Sequence, residues 1–113
     1  MMTIYSATKA ALDMITKASA KELACKGIRV NSVNPGVVQT AVMRQIKDEK
    51  VAEAIYNKIA ETTPLKLKAL PEDIANVILF LANNKLTRNI TGSIVVSDTG
   101  FLADPGSMRP KNT

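Results

Sequence analysis

The 113-residue sequence predicts an α/β fold that forms one piece of a larger, doubly wound parallel sheet. Two short β-branched segments at residues 28–34 and 93–97 each follow a glycine, and helical patterns separate them. A strand followed by helices and a second strand predicts a right-handed parallel crossover. Because two strands bury little apolar area, such a sheet needs further strands and helices on both faces.

The first half of the chain predicts a long helix and a strand. The helix, from Tyr5 to Lys26, is rich in alanine, lysine and leucine, and Gly27 follows where a C-cap glycine belongs. Its apolar residues occupy two sides, which predicts burial against a sheet on one side and a partner helix on the other. The strand spans residues 28–34, and Pro35-Gly36 ends it.

The second half predicts two more helices, a strand and a tail. Residues Thr40 to Glu61 have helical composition, and 65–70 form a connector. Pro71-Glu72-Asp73 is a typical helix start, and that helix fades at Asn83-Asn84. Ser93 to Ser97 reads as a buried strand, and Pro105 to Thr113 as an extended tail.

The composition excludes several classes of function. The net charge is +5, but the lysines are scattered and aromatics make up only 4%, which argues against a nucleic-acid partner. One cysteine, Cys25, and no histidine rule out an internal disulfide and a zinc ligand set, and they favour a reducing, cytoplasmic location. No apolar run reaches the length of a membrane span, so we expect no membrane partner.

Tyr5 and Lys9 are the first candidate for chemistry. Residues four apart lie on one helix face, one turn from each other. A phenol beside an ammonium can exchange a proton with a carbonyl or hydroxyl oxygen. With this lysine content a chance pair at this spacing is common, roughly one in five, so the motif alone is weak.

The Pro35-Gly36 turn is the second candidate. In open α/β sheets ligands bind outside the carboxyl ends of the strands, which would direct the backbone of Val37 and Val38 and the hydroxyl of Thr40 toward a ligand. The alternative is a simple strand-to-helix turn with Thr40 as the N-cap. The local pattern alone favours this simpler reading, because such caps are common.

Four segments occur together in a fixed order: Tyr5 to Leu12, Gly27 to Gly36 continuing to Val38 and Thr40, Pro71 to Ala82, and Ile90 to Gly100. This combination resembles the short-chain dehydrogenase/reductase family, and in particular its carbonyl reductase and 3-oxoacyl-ACP reductase members. The resemblance covers residues 4–102. It implies that residues 1–104 are the C-terminal portion of a Rossmann-type domain and that 105–113 are a tail.

The resemblance also implies roles for individual residues. Tyr5 would be the catalytic acid and base, and Lys9 would assist it and hold the nicotinamide ribose. The implied cofactor is NAD or NADP, and its binding residues would be Tyr5, Lys9, Pro35, Gly36, Val38 and Thr40. The implied reaction is hydride transfer between that cofactor and a small-molecule carbonyl or secondary alcohol. A homo-oligomer would form through the helix from Tyr5 to Lys26.

The sequence departs from the family pattern in ways that affect activity. No glycine precedes Gly27, so the family's glycine-rich phosphate loop is not among these residues, nor is its catalytic serine. The family's usual Asp-Gly-Gly reads Asp98-Thr99-Gly100 here. We therefore expect the 113 residues alone to be inactive. The alternative is a truncated, non-catalytic relative that acts as a dimerisation or interaction partner.

Overall fold

The structure, a computed structural model, describes residues 2–40 and 48–103. Its helices are α1 (Met2–Leu23), α2 (Glu49–Glu61), α3 (Pro71–Ala82) and the short α4 (Asn84–Thr87), and its strands are β1 (Ser32–Pro35) and β2 (Ile94–Ser97). The order agrees with the predicted one, apart from α4. The predicted tail from Pro105 and the predicted helical residues 41–47 lie outside the described residues.

The two strands pair side by side in parallel. The amide of Ser32 donates to the carbonyl of Ser93, and the amide of Gly36 donates to the carbonyl of Ser97, both at 3.0 Å. The bonds advance along both strands in the same direction, so the predicted parallel pairing is confirmed. No helix in the described ranges is long and apolar enough to span a bilayer.

The described residues fall into two compact units. The first unit comprises residues 2–34 and 76–96, and the second comprises residues 35–40, 48–75 and 97–103.

In the first unit, α1 runs antiparallel to the strands. Near its C-terminal end, Ala20 lies so close to Gly92, just before β2, that a Cβ on this glycine would be 3.4 Å from the Ala20 Cβ. Nearer its N-terminal end, the carboxylate of Asp13 accepts hydrogen bonds of 3.2 and 3.3 Å from the side-chain amide of Asn34 in β1. The N-terminal end of α1 therefore lies toward the carboxyl ends of the strands.

Strand β1 is shorter than the predicted strand at 28–34. Across from its first predicted residues lies the turn at 90–92 rather than a strand. The amide of Val30 donates to the Thr91 hydroxyl at 3.1 Å, and the Asn31 side chain donates to the carbonyl of Ile90 at 3.0 Å. The backbone also pairs here, since the amide of Gly92 donates to the Val30 carbonyl at 2.7 Å, but the regular ladder begins only at Ser32.

Arg29 joins the segment before β1 to the end of α3. Its guanidinium donates to the carbonyls of Leu81 at 2.7 Å and Ile90 at 3.0 Å, and to the side-chain oxygen of Asn84 at 2.9 Å. The last turn of a helix leaves carbonyls without intrahelical partners, and an arginine is well suited to satisfy one of them.

In the second unit, α2 and α3 begin with side-chain caps. Asp48 caps α2 by accepting from the amides of Lys50 and Val51. At α3, Asp73 accepts from the amide of Leu70 at 2.8 Å while its own amide donates to the Leu70 carbonyl at 3.0 Å. The Asp73 side chain thus makes the N3 half of a capping box, while Leu70 accepts through its backbone carbonyl, and α3 starts at Pro71 as the sequence predicted.

The side-chain oxygen of Ser32 is buried and has no hydrogen-bond partner within the described part of the chain. We predict that Ser32→Ala raises the free energy of unfolding of the full-length protein by about 1 kcal/mol, because it removes an unsatisfied polar group. Denaturant unfolding measures this change.

The control for this prediction is Thr87→Val, which also removes one hydroxyl. The Thr87 hydroxyl lies 3.0 and 2.8 Å from the carbonyl oxygens of Leu81 and Asn83, which share its one proton, so its loss should lower the free energy of unfolding by about 1–2 kcal/mol. Equal destabilisation by both variants would contradict the prediction.

Candidate functional site

Tyr5 and Lys9 lie together in the first turns of α1. The ammonium nitrogen of Lys9 is 5.6 Å from the centroid of the Tyr5 ring, within the range of a cation–π contact. The Tyr5 side chain is 56% exposed. The spacing of four residues therefore brings both side chains together, as the sequence predicted.

The position of this pair along α1 places it beyond the end of β1. Asp13 contacts Asn34, which is next to the last residue of β1. Lys9 and Tyr5 lie one and two turns farther toward the N-terminus, about 6 and 12 Å along the helix axis. The pair thus lies past the carboxyl end of the strand, which is where ligands bind in open α/β sheets.

The pair also continues the sheet-facing side of α1. Thr16 and Ala20 are the buried residues of this helix. At about 100° per residue, Tyr5 lies roughly 20° around the axis from Thr16, and Lys9 about 20° from both Thr16 and Ala20. The pair is therefore a polar, exposed extension of the buried face.

In the second unit, Gly36 permits a close approach between two chain segments. A Cβ built on Gly36 would lie 2.8 Å from the Cα and 2.9 Å from the Cβ of Asp98, which is closer than real atoms approach. The main chain therefore requires glycine here for packing, whatever ligand the Pro35-Gly36 turn binds.

Asp98 fixes the turn that follows β2. Its two carboxylate oxygens accept from the amides of Gly100 at 2.9 Å and Leu102 at 2.8 Å. Thr99, between Asp98 and Gly100, has a φ of 57°, in the left-handed region. A β-branched residue is strained in this left-handed conformation, whereas glycine adopts it freely. The strain explains why the Asp-Gly-Gly pattern has glycine at the position of Thr99.

Val38 pairs with Ala69 in an isolated parallel bridge, and the amide of the next residue, Gln39, donates to the Ala69 carbonyl at 2.9 Å. In a parallel bridge the neighbours of the central residue make the bonds, so the amide and carbonyl of Val38 point away from Ala69. One residue thus presents a donor and an acceptor on the same side.

Thr40 is held through its backbone by Tyr56 of α2. The Tyr56 hydroxyl donates to the Thr40 carbonyl at 3.1 Å, and the Thr40 amide donates to the same hydroxyl at 3.2 Å. Only 6% of Tyr56 is exposed. Sequence reasoning missed this contact, although the helical spacing of Tyr56 and Ala60 could have indicated a buried face.

The predicted site residues therefore form two groups, one in each unit. Tyr5 and Lys9 touch each other in the first unit, and Pro35, Gly36, Val38 and Thr40 follow β1 in the second. Sequence reasoning missed three further residues that fix these groups: Asp13, Asn34 and Tyr56.

Comparison with known families gives a match along nearly the whole chain. Residues 1–102 match the family model described as "Enoyl-(Acyl carrier protein) reductase". Carbonyl reductase (NADPH) 2 of Sus scrofa is 40% identical over 102 residues, which is 90% of this chain and 40% of that protein. L-xylulose reductase of Mus musculus is 44% identical over 102 residues, with 89% and 40% of the two chains covered.

Comparison with solved structures also finds a protein that is similar to most of this chain. A short-chain dehydrogenase/reductase of unknown function from Caenorhabditis elegans, solved with cofactor, is similar with a TM-score of 0.83 and 39% identity. The similarity covers 91% of this chain and 40% of that one. The chain thus spans about 40% of the length of the relatives that it matches.

We predict that Gly36→Ala lowers the free energy of unfolding of the full-length protein by about 2 kcal/mol, because backbone atoms of Asp98 must move to admit a methyl group. Thermal or denaturant unfolding measures the loss. The control is Gly27→Asn: Gly27 has a φ of 70°, and no atom of the neighbouring described residues lies within 4 Å of an added Cβ. Asparagine tolerates this conformation, so the control should lose less than about 1 kcal/mol. A Gly36→Ala variant as stable as the control would show that the approach is not tight.

Proposed function

Because the chain belongs to the short-chain dehydrogenase/reductase family, we propose that it forms part of an oxidoreductase that transfers hydride between a nicotinamide cofactor and a carbonyl or secondary alcohol. Its α/β fold is a part of the Rossmann-type sheet of that family. The observation that carries the proposal is the contact between Tyr5 and Lys9 on the sheet-facing side of α1, past the carboxyl end of β1.

In this proposal Tyr5 exchanges a proton with the substrate oxygen, and Lys9 assists it. The exposed hydroxyl of Tyr5 can approach a small molecule, and the Lys9 ammonium, next to the ring, keeps cationic charge where negative charge develops. Three N–H donors also allow Lys9 to bind the hydroxyls of a ribose.

The chemistry of the residues after β1 fits the nicotinamide end of the cofactor. Its carboxamide carries a donor and an acceptor, the complement of the amide and carbonyl that Val38 directs away from Ala69. Thr40 adds a hydroxyl, and Pro35 and Gly36 shape the turn. When bound, the nicotinamide gives or accepts the hydride. The pyrophosphate needs a glycine-rich loop, and the sequence contains no glycine before Gly27.

The names of the relatives support the substrate class. Carbonyl reductase and L-xylulose reductase are both named for the carbonyl compounds that they reduce. We propose the same class, a small carbonyl compound or the corresponding alcohol. We also propose NAD or NADP as cofactor, which the name of the NADPH-dependent relative supports.

A homo-oligomer through α1 is the proposed assembly. A second side of α1, roughly 100–160° around the helix axis from the buried Thr16 and Ala20, exposes large apolar side chains, with Ile4 at 73% and Ile15 at 58%. An apolar stripe on a long helix is typical of a surface that packs against another helix. The same stripe favours a second candidate function, that of a non-catalytic interaction partner.

A cytoplasmic location is also proposed. The only cysteine, Cys25, is an exposed free thiol, which is the usual state in a reducing compartment.

In the full-length protein, Tyr5→Phe should lower kcat by at least about a hundredfold, because the proton donor and acceptor is lost. The dissociation constant for the nucleotide should change little, since the ring stays. Steady-state kinetics and nucleotide fluorescence measure the two effects. The 113 residues alone, without a phosphate loop, should give no turnover. A fully active Tyr5→Phe variant would exclude the proposed role.

We expect Ile15→Glu in the full-length protein to shift an α1-mediated dimer to monomer, because a carboxylate would be buried in an apolar contact. Lys17→Glu places the same residue two positions along, off the apolar stripe, and should leave the assembly intact. Sedimentation velocity distinguishes the species. Retention of the same oligomer by both variants would argue against assembly through this side of α1.

A further inference from the structure

Tyr56 makes an unusual contact for a core aromatic residue. It lies on the buried side of α2 with Ala60, but its hydroxyl makes two bonds to a single residue outside the helix. It donates to the Thr40 carbonyl and accepts from the Thr40 amide, so both backbone polar groups of Thr40 engage one buried oxygen.

The segment after β1 is thereby attached at two consecutive residues. The amide of Gln39 donates to the Ala69 carbonyl at 2.9 Å, and Thr40 is bonded to Tyr56. The two anchors come from different parts of the second unit, α2 and the connector before α3. The connector is itself joined to α2 by an ion pair of 3.3 Å between Lys68 and Glu53.

We propose that Tyr56 is a positioning residue for the cofactor, which acts by holding the backbone of Thr40 so that the threonine side chain is presented to the nicotinamide. The inference rests on the proposed function, and it adds a residue of α2 to the determinants of cofactor affinity. Bonds from a buried hydroxyl to both backbone groups fix the orientation of that residue, and a misplaced binding group loses affinity.

A purely structural role would give a different result from the proposed one. If Tyr56 only filled the core of the second unit, Tyr56→Phe would keep the ring and lose a small amount of stability, and nucleotide affinity would follow global stability. If it acts through Thr40, the loss of affinity depends on the side chain at position 40.

The first experiment measures the Thr40 amide directly, without nucleotide. In the full-length protein, Tyr56→Phe should speed hydrogen exchange at the Thr40 amide about tenfold, because one protecting bond is lost. The matched control is Thr63→Val, which also deletes one buried hydroxyl of the second unit. That hydroxyl donates to the Ala60 carbonyl at 2.8 Å, so exchange at Thr40 should stay within about twofold of the unmodified protein.

The second experiment measures the dissociation constants of NADH and NADPH by fluorescence. Tyr56→Phe should raise the constant for the preferred nucleotide about fivefold, and Thr63→Val should leave it unchanged. In a Thr40→Ala background the effect of Tyr56→Phe should fall below about twofold, since there is no hydroxyl left to position. In a Thr40→Ser background, which keeps the hydroxyl, the fivefold effect should return.

Each remaining outcome overturns the inference. Unchanged exchange at Thr40 in Tyr56→Phe would show that the bonds do not hold the backbone. Faster exchange with unchanged affinity, or an equal loss of affinity in the Thr40→Ala and Thr40→Ser backgrounds, would show that Tyr56 does not act through Thr40. Failure of the unmodified protein to bind either nucleotide would instead overturn the proposed function, and the role of Tyr56 in cofactor binding with it.

Discussion

The hydrogen bonds of Arg29 are the interaction on which the first unit depends. One planar guanidinium binds the last turn of α3, the turn before β2 and the side chain of Asn84, which are more than 50 residues away in the chain. These partners are carbonyl and amide oxygens that would otherwise need water. The bonds join the segment before β1 to the end of α3 and to the turn before β2, and the parallel ladder begins after them, at Ser32 rather than at the predicted residue 28.

The direction of α1 relative to the strands determines where Tyr5 and Lys9 lie. Ala20 lies near the start of β2, and Asp13 is bonded to Asn34 near the end of β1. The first turns of the helix therefore extend past the strands. Tyr5 and Lys9 lie there on the same side as the buried face, where no strand of this unit covers them. One face of α1 thus packs against the strands near its C-terminal end and exposes Tyr5 and Lys9 near its N-terminal end.

The segment after β1 shows how packing and function share residues. Pro35-Gly36 predicted a turn at the end of the strand, because proline and glycine act on the local backbone, and only the combination with the other motifs indicated a ligand site. The tight approach of Gly36 to Asp98 and the two hydrogen bonds between Thr40 and Tyr56 could not be predicted. Both join residues at least 16 positions apart, and no local propensity encodes such a contact.

The sequence by itself determined the order of helices and strands, the C-cap at Gly27, the start of α3 at Pro71, and the family, because capping, periodicity and ordered motifs depend on neighbouring residues. Only the tertiary structure decided which side of α1 is buried, where β1 begins, and that Tyr56 is bound to Thr40. These features depend on contacts between residues that are far apart in the sequence, and such contacts form only when the chain is folded.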